Sequence, residues 1–247
     1  MELPHLIETF EGLGGRFITP AKEIQHTLST INTLLFDWDG VFHDGNKDHN
    51  GVSHYSEADS MGVNMLRFGI WLTQQEQLPF TAVISGEHNP TAAHWAKRDN
   101  LNALLMGFNH KAKALTFVQE EYQLQPETTL FVYDDILDLS LAKHCGLRIL
   151  VRKKANPLFQ QYCIENGLVD YITGCESGEH AVREVSELCL SLLGQFKATI
   201  DHRSAYSEVY TRYNKQRKAI RLAKVHHDHK TGKISLEANK PIGFRKE

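Results

Sequence analysis

From about residue 33 to residue 173 the chain alternates short apolar runs with longer helix-compatible stretches, and this pattern restricts the fold more than any other feature. Residues 33–38, 80–85, 103–106, 129–133, 148–151 and 171–173 read as strands; residues 63–77, 90–98, 111–122, 136–144 and 157–167 read as helices. Strands separated by helices must be parallel, because the connection crosses a face of the sheet instead of turning back in a hairpin. The runs are apolar throughout rather than alternating with polar residues, as expected of strands buried on both faces. The predicted class is therefore α/β: a Rossmann-like, doubly wound, mostly parallel sheet flanked by helices.

Residues 42–55 interrupt the alternation. Asp44-Gly45 and Asn50-Gly51 suit turns with positive φ, so a small β-hairpin flap is expected there. Residues 1–30 read as a lead-in; Pro20 and Glu23 mark the start of a helix reaching about Ser29. An amphipathic helix over 181–196 closes a core domain spanning 31–196. Residues 197–247 read as a partly helical extension, helix-compatible over 206–225 and polar beyond Lys230. From Asp201 onward there are twelve lysines and arginines against five acidic residues, so a basic extension follows an acidic body. Solvated charge is the simplest reading of that asymmetry, and a nucleic-acid partner is not expected. Tyr206, Tyr210 and Tyr213 are expected to pack the extension, and His226, His227 and His229 to lie in a solvated tail.

No apolar run approaches the ~20 residues that cross a bilayer, so no membrane partner is expected. Glu2, Glu8 and Glu11 replace the basic start of a secretory leader. Cys145, Cys163, Cys175 and Cys189 form no CxxC pair. Reduced thiols and a cytoplasmic location follow as expectations.

In an open α/β sheet, ligands bind beyond the carboxyl ends of the strands. Asp37, Asp39 and Gly40 follow the first strand, Ser85 and Gly86 the second, Lys111 the third, and Asp134, Asp135 and Asp138 the fourth. Singly, these residues could be helix caps and surface charges. Together they gather carboxylates that repel by about 4 kcal/mol per pair at 4 Å and an effective dielectric near 20. Oxygen donors from two loops, with space for water and phosphate, describe a Mg2+ site, and Lys111 adds a positive charge for an incoming dianion.

FDWDGV (36–41), ISG (84–86), Lys111 and YDDILD (133–138) resemble, in order and spacing, the four motifs of haloacid dehalogenase (HAD) superfamily phosphatases. DGVFHDG (39–45), SEADSMGVNML (56–66), HKAKAL (110–115) and SGEHAVREV (177–185) are similar to the capless branch typified by 3-deoxy-D-manno-octulosonate 8-phosphate phosphatase; the resemblance covers about residues 33–190. It implies that Asp37 is the nucleophile forming an aspartyl-phosphate and that Asp39 is the general acid and base. Ser85 and Gly86 would bind the phosphoryl oxygens, and Lys111 would neutralise both nucleophile and substrate. Asp37, Asp134 and the Asp39 carbonyl would hold magnesium, with Asp138 and Asp135 in support. A small phosphorylated sugar or sugar acid as substrate, and a homotetramer covering the open site, are further implications. Tyr133, Leu137 and Glu87 depart from the Gly, Asn and Arg usual in the family. Glu87 puts a negative charge where an anion would dock, and Tyr133 puts bulk where the backbone usually comes close.

Two other classes fit parts of the pattern. A receiver-like phospho-acceptor also uses acids, a hydroxyl, Lys and magnesium, but its accepting Asp follows a middle strand. A catalytically weak protein could use the basic extension to contact RNA or a protein partner.

Overall fold

The structure is a computed structural model that describes residues 2–49 and 52–237. Helix α1 (Leu3–Gly12), the short strand β1 (Arg16–Phe17) and α2 (Ala21–Leu28) lead into β2 (Thr33–Asp37). Then follow α3 (Glu57–Thr73), β3 (Phe80–Ser85), α4 (Pro90–Arg98), β4 (Ala103–Met106), α5 (Ala112–Tyr122) and β5 (Thr129–Tyr133). A 3-10 turn (Ile136–Asp138) leads into α6 (Leu139–Ala142), β6 (Leu147–Arg152), α7 (Pro157–Glu165) and β7 (Tyr171–Glu176), and another (Ser177–Glu179) into α8 (Ala181–Leu192). The chain continues through α9 (Phe196–Ser204), α10 (Glu208–Ala219), β8 (Ala223–His227) and β9 (Ile234–Glu237).

Among the described residues the strands form one nine-stranded sheet in the order β1-β7-β6-β5-β2-β3-β4-β8-β9. The seven inner strands are parallel, and only the edge strands β1 and β9 are antiparallel. From β2 the chain winds outward through β3 and β4, then returns to β2's other side for β5 and winds the opposite way. The reversal between β2 and β5 is the switch point where a doubly wound sheet opens a crevice.

Every residue of β2 is buried. Leu34 and Phe36 join one core with α1, α2, α3, α4, α8 and α10, while Leu35 joins a second core with α5, α6 and α7. Helix α3 is buried on most of its circumference because it lies between the sheet and α8, α9 and α10. Gly69 permits this: a Cβ there would sit 2.2 Å from a Leu190 methyl carbon.

The flanks join the same body. Helix α1, unanticipated from the sequence, buries Leu6 and Phe10, and β1 pairs with β7. Tyr210 and Tyr213 are buried against Phe68, and the Tyr213 hydroxyl donates to the Asn64 carbonyl at 2.9 Å. Several basic groups of the extension pair with the body or with each other's strand neighbours: Arg212 with Glu76, Arg217 with Asp99, and Lys224 with Glu237.

The expected helix over 206–225 stops at Ala219. Ile220 turns the backbone into the extended region, and Ala223, Val225 and His227 then point inward with a period of two. β8 hydrogen-bonds to β4, from Ala103 opposite Ala223 to Met106 opposite His226. His227 is therefore buried rather than solvated, with Nδ1 3.1 Å from the Gly107 carbonyl oxygen. The flap also differs. Its described residues form no strand beyond a single bridge between Asp39 and His43, and it folds as a loop in which the Asp48 N–H donates to the Val52 carbonyl at 3.0 Å. Polar Asn46, Lys47, Asp48 and His49 offer no apolar face for a free-standing hairpin to bury. The expected Asn50-Gly51 turn, like residues 238–247, lies outside the described residues.

Candidate active site

Strands β2 and β5 run side by side with Phe36 opposite Val132, so Asp37 and Asp134 leave adjacent strands at the same edge of the sheet. Lys111 stands at the start of α5, a poor position for a cation beside a helix dipole. Carboxylates account for it: its ammonium bridges Asp37 and Asp138, and all three side chains are almost wholly buried. Burial opposes charge on Lys111, but Asp138 and Asp37 outweigh it and raise its pKa, so the lysine stays protonated.

Oxygens of Asp37, Asp134 and Asp138 lie within 4.8 Å of one another. Burial pushes the Asp37 carboxyl well above the ordinary range; Asp138 and Asp134 push the same way, against Lys111. Asp134 is likewise raised, first by burial and then by Asp138. Its Oδ1 is buried with no hydrogen-bond partner. Asp138 is held from both sides: Oδ1 meets Lys111, and Oδ2 accepts the Asp135 N–H at 3.0 Å and the Asp134 N–H at 3.3 Å. Asp135 points outward and caps the 3-10 turn through the Ile136 N–H at 2.7 Å.

Asp39 sits toward solvent, under the flap. Its Oδ1 lies 3.1 Å from His43 Nε2 and 3.1 Å from Lys47 Nζ, and Asn89 Nδ2 is 3.4 Å away. Burial alone would raise its pKa, but the hydrogen bonds from His43 and Lys47 prevail and lower it. These neighbours favour the ionised carboxylate. Ser85 is fully buried, with Oγ 3.4 Å from Asp39 Oδ2 and accepting the Glu87 N–H at 3.2 Å. Gly86 lies against Asn109, whose Oδ1 would be 2.9 Å from an added Cβ.

Buried aromatic side chains pin the flap down. Trp38 stacks on Phe42 at 4.9 Å, Phe42 packs on Trp95 at 4.5 Å, and the Trp38 Nε1–H donates to Ser53 Oγ at 3.1 Å. Lys47 also reaches Glu87 at 3.0 Å, linking the flap to the loop after β3. Glu87 is thereby partly neutralised where an arginine is usual.

Tyr133 does not fill the site. It is buried in the second core, stacks on Phe131 at 5.5 Å, and donates its hydroxyl to the Leu168 carbonyl at 2.7 Å. The side-chain alternation of a strand sends it away from its neighbour Asp134.

Lys153 was also overlooked. It follows β6, the strand beside β5, and its ammonium pairs with Asp134. The rule that ligand groups follow strand ends would have found it had it been carried one strand further.

No family model matches the chain. It is 26% identical over 176 residues to 3-deoxy-D-manno-octulosonate 8-phosphate phosphatase KdsC of Haemophilus influenzae, covering 70% of this chain and 89% of the relative. With the enzyme of the same name from Escherichia coli K12 it shares 27% over 169 residues, 67% and 82% of the respective chains. A crystal structure described as a probable YrbI family phosphatase from Pseudomonas syringae aligns with a TM-score of 0.61 at 28% identity, covering 74% of this chain and 97% of that one. The Moraxella catarrhalis 3-deoxy-D-manno-octulosonate 8-phosphate phosphatase, solved with magnesium, phosphate and KDO, aligns at 0.59 with 24% identity, 75% and 98% covered. The fold is HAD-like, and the resemblance to the capless phosphatases holds across most of the relatives' length.

Proposed function

We propose that this chain, with the fold and motifs of the capless haloacid dehalogenase phosphatases, is a magnesium-dependent phosphomonoester hydrolase acting on a small phosphorylated sugar or sugar acid. The observation that carries the reading is the buried cluster of Asp37, Lys111, Asp134 and Asp138, with Asp39 on its solvent side and Ser85 buried beside Asp39. The sugar-phosphate assignment draws support from the relatives named for that activity.

The residues suit a hard divalent cation: three clustered carboxylates, one with a buried oxygen lacking any partner, form an oxygen-rich donor set. Asp37, Asp134 and the main-chain carbonyl of Asp39 would hold Mg2+, with Asp138 behind them and Asp135 on the rim. Bound there, the ion would cancel carboxylate charge and draw electron density from the phosphoryl oxygens.

The chain's own groups account for the remainder. Asp37 attacks phosphorus through a carboxylate oxygen to give an aspartyl-phosphate, and the ester oxygen leaves with a proton delivered at Asp39. His43 Nε2, 3.1 Å from Asp39 Oδ1, is the group placed to pass Asp39 that proton. Water then attacks the phosphorus while Asp39 takes its proton, which frees inorganic phosphate and restores Asp37. Ser85 Oγ and the Gly86 N–H bind the phosphoryl oxygens, and Lys111 keeps Asp37 and the dianion from repelling each other.

We assign the chemistry to the unit 31–196 and read 1–30 and 197–247 as extensions to it, whose described residues 2–30 and 197–237 brace it. Ile136 and Leu137 are exposed beside the carboxylate cluster. An apolar pair at the mouth of an open site suits cover by another subunit of a homotetramer, which light scattering would check. Four free cysteines suit a cytoplasmic location, and no helix among the described residues is long and apolar enough to cross a membrane.

A phosphatase screen over sugar phosphates with magnesium, run beside Asp37→Asn, tests the proposal. Hydrolysis of at least one ester by the wild type alone is expected. Equal background from both proteins on every ester would overturn it.

A further inference from the structure

The second lysine at the carboxylate cluster is placed differently from the first. Lys111 is 4% exposed, enclosed between Asp37 and Asp138 with no way out. Lys153 is 28% exposed and reaches the cluster from its rim, through a flexible four-carbon stem, to pair with Asp134 Oδ2. Asp134, Asp135 and Asp37 all attract its charge.

Gly40 closes the pocket around this pair. Its φ is +85°, and a Cβ there would fall 2.1 Å from Asp134 Oδ2 and 2.7 Å from Lys153 Nζ. The loop after β2 thus packs directly on the Asp134–Lys153 pair. Asp134 is divided between roles: the ammonium takes one oxygen, and the other is buried without a partner. Lys154, next in the chain, lies outside this arrangement, 73% exposed and 3.6 Å from Glu176.

Three buried carboxylates and one buried lysine leave an excess of negative charge in a space that disfavours it. A proton or a cation must offset that charge when no metal is present, and the ammonium of Lys153 is the cation within reach. We propose that Lys153 is a tethered counter-cation of the metal site, holding Asp134 until a divalent cation displaces it toward solvent. The inference rests on the metal-dependent reading above and adds a property specific to this chain: metal affinity is set by competition with an internal ammonium. The competition keeps the metal-free protein folded and weakens metal binding.

The test compares Mn2+ binding to the full chain by electron paramagnetic resonance, with Mg2+ competition, in wild type, Lys153→Met, Lys153→Gln, Lys154→Met and Asp134→Asn. Loss of the competitor is expected to tighten Mn2+ binding about tenfold or more in both Lys153 variants. Lys154→Met, which removes the same charge one residue away, is expected to stay within about twofold of wild type. In chelator, the Lys153 variants should melt below wild type and gain more on adding Mn2+. Equal or weaker binding in both Lys153 variants, with binding still lost in Asp134→Asn, overturns the counter-cation alone. No binding to wild type or to any variant overturns the metal-dependent reading and the inference with it.

Discussion

His43 Nε2 lies 3.1 Å from Asp39 Oδ1, across the base of the flap. Burial pushes the Asp39 carboxyl upward, and the bonds from His43 and Lys47 reverse the shift. In His43→Ala, Asp39 should therefore titrate at higher pH than in wild type, as read by carboxyl carbon NMR on metal-free protein. The linkage has a definite sign. A carboxyl whose folded pKa is depressed contributes stability above its unfolded value, and loses it as pH falls through the folded value. That acid-side contribution should shrink in the variant. An unchanged Asp39 titration would show that the pair does not form.

Asp37 shifts the other way, so its linkage is reversed. With its folded pKa raised, the metal-free protein loses stability as pH rises from the unfolded carboxyl value, about 3.9, through the folded one. Asp37→Asn removes that loss. In chelator at neutral pH its melting temperature should exceed that of wild type, by roughly 2–4 °C for each kcal/mol relieved in a chain of this size. Its hydrolysis should fall further than the roughly 10²–10³-fold that loss of one stabilising donor costs. Calorimetry and a phosphate-release assay read the two effects separately.

Lys111→Met should behave oppositely in stability. Removing the ammonium leaves Asp37 and Asp138 buried without their shared partner. Breaking a buried ion pair from one side costs about 3–5 kcal/mol. Denaturant unfolding in chelator should show a loss of that order, partly restored by magnesium. A loss below about 1 kcal/mol, the usual worth of a surface pair, would contradict the burial described here.

The extension can be tested through Tyr213, whose hydroxyl donates to the Asn64 carbonyl and lies 2.8 Å from the Asn64 side-chain oxygen. Tyr213→Phe should cost about 1–3 kcal/mol by leaving buried acceptors unpaired. Tyr213→Ala should cost about 3–5 kcal/mol by also opening a cavity beside Phe68. Chemical denaturation checks both, and unaltered stability in Tyr213→Ala would mean that α10 does not dock on α3.

What could be read in advance follows from where the information is local. β2 to β7 were legible because strands buried on both faces leave uninterrupted apolar runs. Asp37, Ser85, Lys111 and Asp134 were legible because such strands present their ligands at one end. Lys153 and the pair His43 and Lys47 depend on where loops fold over the sheet edge, and no periodicity encodes that. β8 was hidden for another reason: Lys224, His226 and His227 look basic and polar, while the strand that makes 223–227 extended is β4, far back in the chain. Tyr133 looked like an obstruction because its neighbour belongs to the site, yet strand alternation turns it into the opposite core.

That distance between β4 and β8 has a consequence for how the protein is made. Until the ribosome has produced Ala223–His227, the backbone donors and acceptors on one side of Ala103–Met106 have no partner. The nascent chain must carry this sticky margin from the synthesis of β4 until that of β8, so chaperone dependence or misassembly during expression should concentrate there rather than at the buried carboxylates.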